Sequence, residues 1–129
     1  MSCVDSIASL LADAHFTSCF TKVRPSALDC AEPIMVTESA FSRESRQAEE
    51  ERGAVAVTVM VVREVAADAE AVATAAERAI RGADWEPYAD AGHYRIVGID
   101  TTVPAFLEED GSGRSVWSFR VDCTVVREL

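Results

Sequence analysis

Positive charge is scarce in this 129-residue chain: 12 Lys and Arg stand against 22 Asp and Glu, a formal net charge of −10. Binding of DNA or RNA rests on cationic groups displacing condensed counterions, so this composition argues against nucleic acid as a ligand. Histidine is scarcer still. Only His15 and His93 could serve as general bases without a strongly shifted pKa. Neither lies beside a Ser or Cys in a nucleophile setting such as G-x-S-x-G. His15, closing the first helical segment, reads as a capping or half-buried side chain, and His93 as a solvated loop residue. The four cysteines, Cys3, Cys19, Cys30 and Cys123, form no C-x-x-C pair and no regular spacing, and a zinc site drawn from them would need distant partners to converge. Residues 1–14 lack a basic start and contain Asp5 and Asp13, unlike a secretory leader, so the cysteines read as reduced core residues in a cytoplasmic setting. No apolar run approaches the roughly 20 residues of a membrane span. The expectation is a chain with no catalytic residue, no metal and no cofactor.

What is present is globular. Hydrophobic residues make up 49% and aromatics only 7%, so the core should be built from alanine and branched aliphatic side chains. The length suits one domain over 1–129, able to bury roughly two thirds of its unfolded surface without a staple. Val4, Ile7, Leu10, Leu11 and Ala14 recur at helical spacing behind Ser2 and Asp5, which are placed like a capping box. "TSCFTKV" and "IMVTESAF" read as strands, the second opened by Pro33. Ser42 to Arg52 has no large apolar residue and reads as a solvated loop, or a frayed helix between two strands, of mixed charge. "AVAVTVMVV", Ala54 to Val62, is apolar on both faces, the mark of a central strand covered on both sides by helices or by a neighbouring subunit. Asp68 then caps a helix with Val72, Ala76 and Ile80 on one stripe and Gly82 as its stop. A polar loop follows, then "YRIVGIDTTVPAF" as a strand ending or bending near Pro104. The final strand alternates cleanly, with Trp117, Phe119, Val121, Cys123 and Val125 on one side and Ser118, Arg120, Asp122 and Thr124 on the other. The expected fold class is α+β: a mixed, mostly antiparallel sheet with two helices packed on it and a long C-terminal hairpin.

Gly111-Ser112-Gly113 invites a phosphate-loop reading, but such loops run from a strand into a helix whose first amides hold the anion. Here a strand follows, and Glu108, Glu109 and Asp110 precede. Asp110-Gly111-Ser112-Gly113 is a hairpin turn. The acidic clusters 49–51 and 108–110 read as solvated faces. The strand from Arg114 to Arg127 would extend roughly 45 Å, against a diameter of about 35 Å for a compact domain of this size. It must bend, or its hairpin must reach a partner, and the simplest partner is another copy of the chain. A homo-oligomer, as a ring, is the expectation.

The order of elements, with "PIMVTESAF", the charged loop, the valine-rich strand, the alanine-rich helix and the closing "D…P…D-G-S-G-R…W-S-F-x-V", resembles bacteriophage tail-terminator proteins and the related minor capsid or head–tail joining proteins. The resemblance spans nearly the whole chain. It implies an α+β virion protein, assembled in the bacterial host cytoplasm, that forms a ring, commonly a hexamer. Such a ring caps the tail tube, meets the major tail protein and the head completion proteins, and lets DNA pass only through its lumen. By position in the element order, it places Arg43, Glu44, Arg46, Glu49, Glu50, Glu51 and Arg52 at a ring face or the lumen. It places the hairpin of Asp110, Gly111, Gly113 and Arg114, with Trp117, at a subunit or tube contact. The competing expectation is a small ferredoxin-like ligand-binding or enzymatic domain, its pocket lined by Trp85, Tyr88, His93 and Trp117.

Overall fold

A computed structural model describes residues 3–21, 24–47, 49–88 and 94–128. Two helices, α1 (Cys3–Asp13) and α2 (Ala66–Arg81), accompany seven strands: β1 (Cys19–Phe20), β2 (Ile34–Glu38), β3 (Ser42–Arg46), β4 (Glu50–Arg63), β5 (Tyr94–Thr101), β6 (Ala105–Glu109) and β7 (Ser115–Glu128). All seven belong to one sheet, of order β1-β2-β4-β7-β5, with β3 also on β4 and β6 also on β7. Only the β1–β2 pairing is parallel. The fold is α+β, as the patterning implies.

The sheet is organised by its two longest strands. β4 and β7 pair antiparallel without interruption from Glu50↔Glu128 to Arg63↔Ser115. Each long strand carries two short ones end to end on its other edge. β3 and β2 share the outer edge of β4, and β5 and β6 share that of β7.

Side-chain alternation then decides the layers. Val55, Val57, Val59 and Val61 of β4 and Phe119, Val121, Cys123 and Val125 of β7 meet Ile7, Leu10 and Leu11 of α1 and Ala73, Ala76 and Ile80 of α2 in one core. Full burial of each such valine is worth about 1.5–3 kcal/mol relative to exposure. The small alanine stripe of α2 lets the helix lie close to the sheet. Its buried Glu77 accepts a hydrogen bond from Thr101 Oγ1 at 3.0 Å and pairs with Arg81 at 3.3 Å.

Among the described residues no helix covers the opposite face. Ala54, Ala56, Thr58 and Met60 lie half-buried there beside Ser118, Asp122 and Thr124. Residues 24–31 cross one end of this face, where Met35, Val62 and Val116 are buried and Arg114 reaches the carbonyls of Cys30 and Ala31. The expectation that the valine-rich strand is covered on both sides therefore holds fully for one face only.

Several boundaries differ from the sequence reading. Ser42 to Arg52 is mostly strand rather than loop: backbone pairing to β4 makes β3 an edge strand although every side chain on it is exposed. The valine-rich strand starts at Glu50, not Ala54, because Glu51 is buried against Arg127. α2 begins at Ala66 with Val65 at its N-cap and no side-chain cap, so Asp68 acts only as an acidic residue in the first turn. The first strand shortens to Cys19–Phe20, Lys22 and Val23 of that reading lying outside the described residues, as does Ser2 of the capping box. "YRIVGIDTTVPAF" divides into β5 and β6 around residues 102–104, and both halves pair with β7. Most consequentially, β7 neither folds back nor lacks partners: an equally long β4 satisfies its backbone, so strand length alone does not demand a second subunit.

α1 ends in a Schellman motif. His15 N–H donates to Ala12 O (3.0 Å), Phe16 N–H donates to Leu11 O (2.9 Å), and His15 itself is left-handed at φ 69°. His15 is thus an exposed capping position, one that glycine fills with less strain.

Three outcomes follow. His15→Gly raises the unfolding free energy by about 1 kcal/mol or less. Ala76→Leu, overfilling the helix–sheet contact, lowers it by about 1–3 kcal/mol, while Ala71→Leu on the exposed side of α2 changes it by less than about 0.5 kcal/mol. Urea midpoints at constant slope measure all three.

Candidate assembly surfaces

The Asp110–Gly113 turn is built around one carboxylate. Asp110 Oδ1 accepts from the amides of Ser112 (3.0 Å) and Arg114 (2.9 Å), and Oδ2 accepts from Arg114 Nε and Arg24 Nη2, each at 2.7 Å. Gly113, at φ 79°, supplies the left-handed step that returns the chain into β7. These amides already donate to an anion of the protein's own. Burial opposes ionisation of Asp110, but the Arg114 backbone and side-chain hydrogen bonds and the Ser112 amide outweigh it and hold the carboxyl below its usual range. Arg114 is itself buried, its guanidinium divided between Asp110 and the carbonyls of Cys30 and Ala31. It pins the turn to residues 24–31 and offers little to an outside partner. Gly111, with no atom near a would-be Cβ, is the open tip. Trp117 is half-buried, edge-on to Phe106 with centroids 6.3 Å apart.

The charged segment divides into surface and interior. Arg43, Glu44, Arg46, Glu49 and Arg52 are exposed, and Glu50 is half-buried, 3.9 Å from Arg95. Glu51, only 6% exposed, is bonded to Arg127 and lies 4.0 Å from Arg43. Arg127 in turn sits 3.8 Å over the Phe41 ring. A Cβ on Gly53 would come within 2.4 Å of Ser42 O and 2.5 Å of that ring, so glycine is what lets Phe41 lie flat here. Glu51 therefore belongs to the fold, not to an open face.

The two candidate regions stand at opposite ends of the β4–β7 ladder, Ser115 against Arg63 and Glu128 against Glu50. At about 3.3 Å per residue they lie roughly 40 Å apart. One chain cannot bring them together; two chains can.

Among the described residues the expected aromatic pocket is split between two pairs. Trp85 and Tyr88 contact each other at 5.7 Å, and Tyr88 donates its hydroxyl proton to Asp13 at 2.6 Å, tying this segment to the end of α1. That bond raises the Tyr88 pKa. Trp117 lies with Phe106 instead, and His93 falls outside the described residues. An open groove of about 560 Å³ does run past Trp85, between Arg81, Asp84, Arg95, Ile96 and Ile99. Its two arginines are engaged by Glu77 and Glu50. Cys3 and Cys123 are buried in the core as free thiols, their hydrogen bond and burial keeping Cys123 protonated. Among the described residues no three His, Cys, Asp or Glu side chains gather as metal ligands, and no helix is long and apolar enough to cross a membrane.

Sequence reasoning overlooked β6. Val103, Phe106 and Leu107 are 84%, 57% and 51% exposed, an apolar stretch on and beside an edge strand. The signal was "VPAFLEE" itself, apolar and acidic residues in a run too short for either periodicity.

No protein-family model matches the sequence, and no curated protein matches it. Among solved structures, a chain of the "Virion of native gene transfer agent (GTA) particle" aligns with a TM-score of 0.52 at 16% identity, covering 95% of this chain and 82% of that one. At that identity the likeness establishes a shared fold.

Asp110 contributes stability above the unfolded carboxylate pKa, near 3.9, and that contribution is lost as pH falls through its lower folded value. Asp110→Asn accordingly lowers Tm by several degrees at pH 7. The gap from the parent protein narrows as pH drops below the ordinary carboxylate range, as a series of thermal melts would record.

Proposed function

We propose that this chain is a structural protein of a phage-like particle, acting as a tail-terminator-type ring rather than as an enzyme. The observation that carries this reading is the fold shared with a virion chain over nearly all of this chain's length. The surfaces point the same way: both candidate regions lie at the extremities of the sheet, and the aromatic cluster expected of an enzyme pocket is dispersed. In this reading copies of the chain form a ring that caps the tail tube, meeting the major tail protein on one side and head completion proteins on the other.

The open sheet face suits the lumen. Asp100 and Asp122 are direct cross-strand neighbours there, with Glu44 beside them. Like charges so placed weaken a sheet, and Arg120, 2.7 Å from Asp122, relieves this only in part. A face of this charge lets DNA pass without retaining it.

The purified protein is expected to elute as a discrete multiple of 13.9 kDa by light scattering and to appear as annuli in negative stain. Added to polymerising tail-tube protein of the same particle, it should halt elongation. A monomer at micromolar concentration with no effect on tube length would remove the proposal.

A further inference from the structure

The edges of the sheet carry an inference that rests on the ring reading and specifies its contact. β3 and β6 are the outermost strands at diagonally opposite corners, β3 on the free edge of β4 and β6 on that of β7. Among the described residues neither has a second strand beside it, and every residue of both is exposed. Charges on an edge ordinarily guard it against unwanted pairing. These two edges differ in kind, one bearing Arg43 and Arg46 on either side of a single Glu44, the other Glu108 and Glu109 behind Phe106 and Leu107. Exposed Phe106 and Leu107 invite an occupant rather than guard against one.

We propose that β3 of one copy pairs antiparallel with β6 of the next, joining the sheets head to tail into one continuous sheet. Strand direction fits. β3 and β7 run one way, and β4 and β6 run the other. A second copy laid edge to edge in the same orientation therefore presents β6 antiparallel to β3.

The faces fit as well. Arg43 and Arg46 register with Gly53 and Glu51, on the helix-covered side of β4. Phe106 and Glu109 register with Trp117 and Ser115, on the helix-covered side of β7. In both strands the register shifts between these two positions, after Arg43 and after Phe106. Antiparallel alignment then sets Arg43 opposite Glu109 and the Arg46 guanidinium opposite the Phe106 ring, a charge pair and a cation–π contact, against which stands one like-charge approach, the bulge residue Glu44 to Glu108. Because the contact uses two different edges it is heterologous, the kind that closes into a ring or runs on as a filament. The helices stay outside the joined sheet's contact line, and the open faces form one surface.

Cysteines placed at the pair test this. In Arg43→Cys/Glu109→Cys, mild oxidation or a short bismaleimide yields a denaturing-gel ladder at multiples of 13.9 kDa. Neither single variant does so, whereas a mixture of the two single variants gives dimers. Independently, Glu109→Arg weakens association by roughly tenfold or more, and adding Arg43→Glu restores it, with circular dichroism confirming that each variant is folded.

Oligomers that persist in Glu109→Arg, with no ladder from the double cysteine variant, overturn the edge pairing while leaving the ring reading intact. Cross-linking by either single variant overturns it by demonstrating a symmetric contact, and cross-linking only to a different particle protein does the same. A monomeric parent protein overturns the pairing and the ring reading together.

Discussion

Everything in this molecule hangs on the antiparallel pairing of Glu50–Arg63 with Ser115–Glu128. Two strands of equal and unusual length satisfy each other's backbone along their whole extent. Typical strands run 5 or 6 residues, so each long strand has room on its outer edge for two short ones. That one proportion sets the shape of the sheet: a long central ribbon, four corners, and a short strand at each. α1 and α2 cover only one side of the middle. The corners are thus left to be stabilised locally, or by something outside the chain.

The local solutions are electrostatic. At the β6 end, Asp110 gathers Arg24 and Arg114, and Arg114 staples residues 24–31 across the open face. At the β3 end, Glu51 pairs with Arg127, which lies on Phe41 over Gly53. Each is a half-buried charge network in which a guanidinium is hydrogen-bonded to its carboxylate, the condition under which a shielded ion pair is retained without large cost. A chain of net charge −10 spends several of its few arginines on these corners. What they leave exposed are the two diagonal edge strands and the open face that carries Asp100 and Asp122.

Residues with one dominant role were legible. The alternation from Trp117 to Val125, the paired-face valines of Ala54 to Val62, and the alanine-rich helix each announce a core face, because burial is periodic and hydrophobicity reports it directly. The turn at Asp110–Gly113 was legible for a similar reason, since its glycine meets a local need for positive φ. The polar run Ser42–Arg46 was not, because an edge strand is made by backbone pairing to a partner and needs no apolar side chain. Nor was the interior position of Glu51, which depends on Arg127 arriving from the other end of the chain.

The division is physical. Composition and periodicity by themselves determined the α+β class, the core-facing positions and the hairpin, all properties of residues close in sequence or of the chain as a whole. Only the tertiary structure decided that β7 is matched by an equally long β4, that Arg114 faces inward, that Trp117 lies against Phe106, and that two exposed edge strands lie at opposite corners. Those depend on which distant segments become neighbours, and long-range pairing leaves no local pattern from which it could be read.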